Sequence, residues 1–316
     1  MSYELSKGLA LREVFGRTVT ELAETDQRVV VLDGDVGSST KGDIFEKIHP
    51  ARYLQMGIAE QNMLSVAAGL ATTGLIPYIS TFTAFAVVRP LDQIRVSIAQ
   101  TRANVKITPS YAGMFTGSTG MSHIILDDLG LMRGLPNMVV IAPADDMEAA
   151  AALRWSAQYE GPVYIRLIRD ATDRIFPEGF GFSLGPVVPI ADGSDITVFS
   201  TSTQTPRSFA AVRILAGRGI SAKLVHVPTI KPIDVAGIVN AAAETGRVFT
   251  VEEGAVVGGL GGAVAEVLSE HLPTRVTRLG LDDVYVASGS NAALLDVYGL
   301  SGQRVADQIE SALLRG

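Results

Sequence analysis

The 316-residue chain carries 26 Lys and Arg against 33 Asp and Glu, a formal net charge of −7 with no basic run, which excludes a nucleic-acid backbone as partner because such binding needs a positive footprint. It has no cysteine, so disulfides, thiolate nucleophiles and zinc-thiolate sites are excluded and nothing points to an oxidising compartment. Its length accommodates two domains of ordinary size, each able to bury a core.

The opening Met-Ser-Tyr-Glu-Leu-Ser-Lys lacks the basic-then-apolar pattern of a secretory leader, and a cytoplasmic location is expected. A helix is predicted over 9–23, carrying Arg12, and a strand over 29–32. The strand runs into Leu32-Asp33-Gly34-Asp35-Val36-Gly37-Ser38-Ser39, a glycine-containing turn able to present backbone N–H groups, although Asp35 alone also fits a turn-capping acid. Next comes Met56-Gly57-Ile58-Ala59-Glu60-Gln61-Asn62-Met63, in which Glu60 heads the apolar run Met63, Leu64, Val66, Ala67, Ala68, Leu70 and Ala71. That run predicts a helix buried on most faces. A dehydrated carboxylate there must be neutral, tied to backbone donors, or bonded to something outside the chain. Taken alone, Glu60 equally fits a first-turn acid at the positive end of a helix.

Residues 63–80 are uncharged, but Thr72-Thr73-Gly74 and Pro77 interrupt them, so a buried helix and strand are predicted rather than a membrane span. Strands over 76–80, 105–108, 139–142 and 163–167 and a helix over 147–159 continue the alternation. The pattern predicts an α/β fold with a mainly parallel sheet flanked by helices, and sites at the carboxyl ends of its strands. The less periodic stretch holding Phe176-Pro177-Glu178-Gly179 and Gly185-Pro186 divides the chain into a domain at 1–175, a linker at 176–194 and a smaller α/β domain at 195–316. In the latter, Gly258-Gly259-Leu260-Gly261-Gly262 lacks the spacing of a dinucleotide-binding fingerprint.

The run Gly57-Ile58-Ala59-Glu60-Gln61-Asn62-Met63, then Ala67-Ala68-Gly69-Leu70-Ala71, then Pro77-Tyr78-Ile79-Ser80-Thr81-Phe82-Thr83-Ala84-Phe85, resembles the cofactor-activating segment of transketolases and deoxyxylulose-phosphate synthases. These are thiamine diphosphate enzymes. The resemblance implies that Glu60 hydrogen-bonds the pyrimidine ring nitrogen and so promotes proton loss from the thiazolium carbon, with Phe82 and Phe85 beside the aminopyrimidine. It implies that Asp35 and Val36 reach the cofactor, and that Arg12, Ser39 and Arg169 hold a sugar phosphate, for which the planar arginine fork is suited. His123, in the loop Phe115-Thr116-Gly117-Ser118-Thr119-Gly120-Met121-Ser122-His123, matches a catalytic histidine contacting substrate oxygen.

Two positions depart from the pattern. Tyr111 stands where transketolases have a phosphate-contacting histidine, and Thr119 where they have an acid that reads an acceptor hydroxyl. Such changes alter which substrates are preferred. Gly34-Asp35 with Asn62 only echoes the motif that holds Mg²⁺ and diphosphate, so no metal ligand is assigned to this chain.

The resemblance therefore implies the pyrimidine-binding domain and C-terminal domain of a split transketolase, moving a two-carbon ketol unit from a ketose to an aldehyde. A companion N-terminal subunit would hold the diphosphate and Mg²⁺ or Ca²⁺, in an α2β2 heterotetramer. Small sugars are the expected partners, with neither nucleic acid nor membrane. A deoxyxylulose-phosphate synthase-like or 2-oxo acid decarboxylating component, and a non-catalytic regulatory paralogue, are the alternatives.

Overall fold

The computed structural model describes residues 3–315. In chain order its first strands are β1 (Ser6–Ala10), β2 (Val29–Asp33), β3 (Tyr53–Gln55), β4 (Ile76–Ser80), β5 (Lys106–Ile107), β6 (Val139–Ile141), β7 (Val163–Ile165) and β8 (Ala171–Arg174). β2 and β4 are buried at every position, as strands of a parallel sheet covered on both faces must be. β2 pairs in parallel with β3 and β4, β4 with β5, and β5 with β7, so the carboxyl ends of β2, β4, β5 and β7 share one edge. That edge carries the Asp35, Phe82, Tyr111 and Arg169 loops.

The helix Leu11–Thr25 begins two residues later than predicted, because Ser6–Ala10 pairs antiparallel with β8, Ser6 opposite Arg174. The helix Glu60–Thr72 is not buried on most faces, as its sequence suggested. Glu60, Met63, Leu64, Ala67 and Ala68 face the sheet, while Gln61, Asn62, Ser65, Gly69 and Thr72 are exposed. Among the described residues no second layer covers these exposed positions.

The remaining strands are β9 (Val188–Ala191), β10 (Ile196–Ser200), β11 (Ala222–His226), β12 (Thr229–Lys231), β13 (Val248–Ala255) and β14 (Val276–Leu281). They form a five-stranded sheet of order β14-β13-β10-β11-β9, with one exception. β12 leaves it and pairs antiparallel with β6, Thr229 opposite Ile141, completing the other, seven-stranded sheet. Among the described residues no helix is long and apolar enough to cross a membrane.

Buried charge joins the two halves. Arg166, just past β7, donates from Nε to Asp128 Oδ2 at 2.8 Å, from Nη2 to the Glu253 carbonyl at 2.8 Å and from Nη1 to Ser202 Oγ at 3.2 Å. The Glu253 carboxylate in turn accepts from Arg207 Nη2 at 2.6 Å and from the Met114 amide at 2.9 Å. Burial opposes the Arg166 charge, yet Asp128 and Glu253 more than offset it and hold its pKa above the ordinary range. β10 has β11 on one side and β13 on the other, so the carboxyl ends of β10 and β13 frame the crevice in which sheets of this kind usually bind ligands. Here that crevice is closed by the Arg166 network.

Glu252 explains the glycine-rich turn. Its two carboxylate oxygens accept from the amides of Leu260 and Gly261, both at 2.7 Å, at the start of the helix Leu260–His271, and a Cβ at Gly259 would collide with the same carboxylate. Burial pushes the Glu252 pKa up to about 7 from 4.5, against the pull of those two amides. The folded state thus binds this proton more tightly than the unfolded one. The resulting stability is complete below about pH 4.5 and is lost as pH rises through about 7. Between about pH 5 and 8 the wild type is expected to lose about 1–3 kcal/mol relative to Glu252→Gln, read as a shift in urea midpoints. A pH-independent difference would mean that the group is ionised throughout.

Candidate functional site

Glu60 lies at the N-terminus of its helix with 3% of its side chain exposed. Its Oε2 accepts from Arg89 Nη1 at 3.0 Å, and the Arg89 side chain is 47% exposed. The sequence left open a neutral carboxyl, backbone donors or a partner outside the chain; the structure adds a partner within it that was overlooked, because 29 residues separate the pair. A local signal did exist. Arg89 follows Phe85 by four positions, just past the helix Thr83–Val87, a spacing that places side chains together on a helical path. The guanidinium carbon lies 4.0 Å from the Phe85 ring centroid.

Phe82 and Phe85 have ring centroids 6.0 Å apart, and Tyr111 lies over Phe82 at 4.0 Å with 30° between planes. His123 approaches Phe85 at 5.1 Å and Phe82 at 5.9 Å, and its Nδ1 meets Ser122 Oγ at 2.9 Å. The loops are stitched together by Ser110, whose carbonyl accepts from both the amide and the hydroxyl of Thr83 at 2.7 Å.

The two arginines singled out in the sequence converge on Tyr111. Its hydroxyl accepts from Arg12 Nη1 at 3.1 Å and Arg169 Nε at 3.3 Å, while the same Arg12 nitrogen donates to the Ser39 carbonyl at 3.0 Å. A phenol that accepts twice retains its own proton to donate. Tyr111 holds this position on a left-handed backbone, φ +71, the kind of strain that persists only where surroundings enforce it. Buried within the same region, Arg12 Nε, Thr81 Oγ1 and Ser110 Oγ have no hydrogen-bond partner among the described residues. Unsatisfied buried polar groups are rare, and clustered ones mark a place for something polar.

Asp35 is exposed, also on a left-handed backbone at φ +67, and its amide donates to Gln55 Oε1 at 3.0 Å. Val36 is held by the fully buried Asp33, whose Oδ1 accepts the Val36 amide at 2.9 Å and whose Oδ2 accepts Ser80 Oγ at 3.0 Å. Sequence reasoning missed Asp33 as the organiser of this turn. Thr119 stands apart from the arginine cluster: it is exposed, and its hydroxyl donates to the Thr116 carbonyl at 2.6 Å within its own turn.

A recess of about 480 Å³ is lined by Ile58, Ala59, Glu60, Gln61, Asn62 and Arg89. Ile58, Val88 and Met121 are large exposed apolar side chains. Among the described residues no three His, Asp or Glu side chains gather as a metal site.

A family model for the transketolase pyrimidine binding domain matches residues 7–174, and one for the transketolase C-terminal domain matches residues 185–305. The chain is 41% identical to a putative transketolase C-terminal section of Methanocaldococcus jannaschii over 302 residues, covering 95% of each chain. It is 37% identical to the 6-deoxy-6-sulfo-D-fructose transketolase subunit SqwH of Clostridium sp., covering 93% of this chain and 92% of that one. Among solved structures, the inactive beta4 tetramer of a split gene transketolase matches with a TM-score of 0.88 at 42% identity, covering 97% of this chain and 99% of that one. Carrying both domains in series, and matching split subunits over nearly their whole length, the chain belongs to the transketolase family, among its split subunits.

Proposed function

We propose that the chain works with a companion subunit as a transketolase, moving a two-carbon ketol unit from an anionic ketose to an aldehyde acceptor, with thiamine diphosphate held between the two polypeptides. The observation that carries this reading is the dehydrated Glu60 carboxylate, linked through Arg89 to Phe85 of the aromatic cluster, on a helix start that lines an open recess. That arrangement fits the flat, amino-substituted ring of the cofactor: Phe85 offers a stacking face, Glu60 accepts an N–H, and unpartnered Thr81 and Ser110 hydroxyls lie in the same region. When bound, thiamine diphosphate supplies the carbanion chemistry that the side chains lack. The companion subunit holds the diphosphate and the divalent ion.

In this reading Glu60 holds a proton in place at the pyrimidine nitrogen. His123, half-buried against Phe82 and Phe85, holds or moves protons at substrate oxygen. Asp35 and Val36 edge the cofactor site. Arg12, Arg169 and the Tyr111 hydroxyl grip the anionic end of the substrate, with the Ser39 segment fixing Arg12. A sulfonate would suit this cluster as well as a phosphate, and the name of the SqwH relative assigns it a sulfo-sugar.

The test is reconstitution of the two subunits with thiamine diphosphate and Mg²⁺, assayed for ketol transfer and for pyruvate decarboxylation. Ketol transfer is expected; decarboxylation without transfer, or inertness toward every donor, would replace the proposal. Within the active pair, Arg169→Leu is expected to raise KM for a phosphorylated or sulfonated ketose about tenfold or more, the loss of a charged hydrogen bond of about 1.5–3 kcal/mol. KM for uncharged erythrulose should hardly move.

A further inference from the structure

Glu60 and Phe85 are engaged by one side chain at once. Arg89 donates to Glu60 Oε2 at 3.0 Å and sets its guanidinium carbon 4.0 Å from the Phe85 centroid. A guanidinium is flat, delocalised and edged with N–H donors, so it makes the two contacts that an amino-substituted heterocycle would make here. Arg89 and such a ring cannot share them. We infer that Arg89 is a built-in occupant of the pyrimidine slot, holding Glu60 in the free subunit and leaving when the cofactor enters. This inference rests on the cofactor reading proposed above.

The physical setting favours exchange rather than permanent pairing. The Glu60 side chain is 3% exposed and would be stranded without a donor, whereas Arg89 is 47% exposed and returns to water when it departs. The ring nitrogen, once it has taken a proton from solvent, presents an N–H in place of the guanidinium N–H, so one donor is traded for another. The Arg89 main chain stays anchored, since its carbonyl accepts from Gln61 Nε2 at 3.1 Å and buried Pro90 follows it, which confines the movement to the side chain. Cofactor capture is thereby opposed in the free subunit. Contacts made across the companion subunit tip the balance.

Calorimetric titration of thiamine diphosphate with Mg²⁺ into the reconstituted pair tests this, comparing wild type, Arg89→Ala and Arg89→Lys. Arg89→Ala is expected to lower Kd about tenfold. Arg89→Lys still pairs with Glu60 but offers no flat face to Phe85, so its Kd should fall between the two, and it guards against a variant that simply folds badly. An unchanged or higher Kd in both variants would overturn the exchange while leaving the cofactor reading intact. No binding by wild type or variants would sink the cofactor reading itself.

Discussion

Glu60→Gln is expected to cut the turnover of the reconstituted pair by about a thousandfold or more while the subunits still assemble. Proton transfer by a positioned side chain is worth about 10²–10⁴ in rate, and glutamine keeps the shape of glutamate but cannot take up and release the proton. Bulk water offers no substitute, because the side chain is 3% exposed. The substitution leaves the helix Glu60–Thr72 and its packing through Met63, Leu64 and Ala67 untouched, which separates chemistry from folding. Turnover at saturating cofactor, with sedimentation to confirm assembly, measures the effect. A variant within threefold of wild type would remove Glu60 from the role proposed for it.

The second large effect belongs to stability. Arg166→Met is expected to cost about 3–5 kcal/mol, because it leaves Asp128, fully buried, with an uncompensated charge. Pairing it with Asp128→Asn should recover part of the loss, and a double-mutant cycle on urea midpoints isolates the coupling. Additive losses would show the pair to be independent. The consequence reaches the site as well. Arg166 and Glu253 pin the backbone at Met114, in the loop that carries Tyr111 and His123. Unfastening it should therefore lower turnover even at temperatures where the protein remains folded.

Much of the candidate site was legible because its residues sit in short local motifs. Glu60, Phe82, Phe85, Tyr111, His123, Arg12 and Arg169 were all singled out from sequence, and the fold brings them to one sheet edge. Arg89 was missed because its tie to Glu60 is a tertiary contact between an exposed cation and a buried acid. Asp33 reads as part of the turn that follows an apolar strand, and only the fold reveals that it fastens the Val36 turn to Ser80. The central strands announce themselves as apolar runs buried on both faces. β1, β8 and β9 do not: each is mostly exposed or half-buried, with at most one buried position, and the stretch around Pro177 and Gly185 reads as loop. The half-exposed helix Glu60–Thr72 misled for the opposite reason, since alanine, glycine and serine are tolerated on a wet face or a dry one.

The strand that the second half lends to the first makes the two inseparable in practice. Were the chain severed ahead of Thr229–Lys231, Val139–Ile141 would become a raw margin of unpaired amides and carbonyls, the kind of border along which sheets adhere to one another. The shorter fragment would be a sticky one, and the C-terminal half serves, whatever else it does, as a selvage.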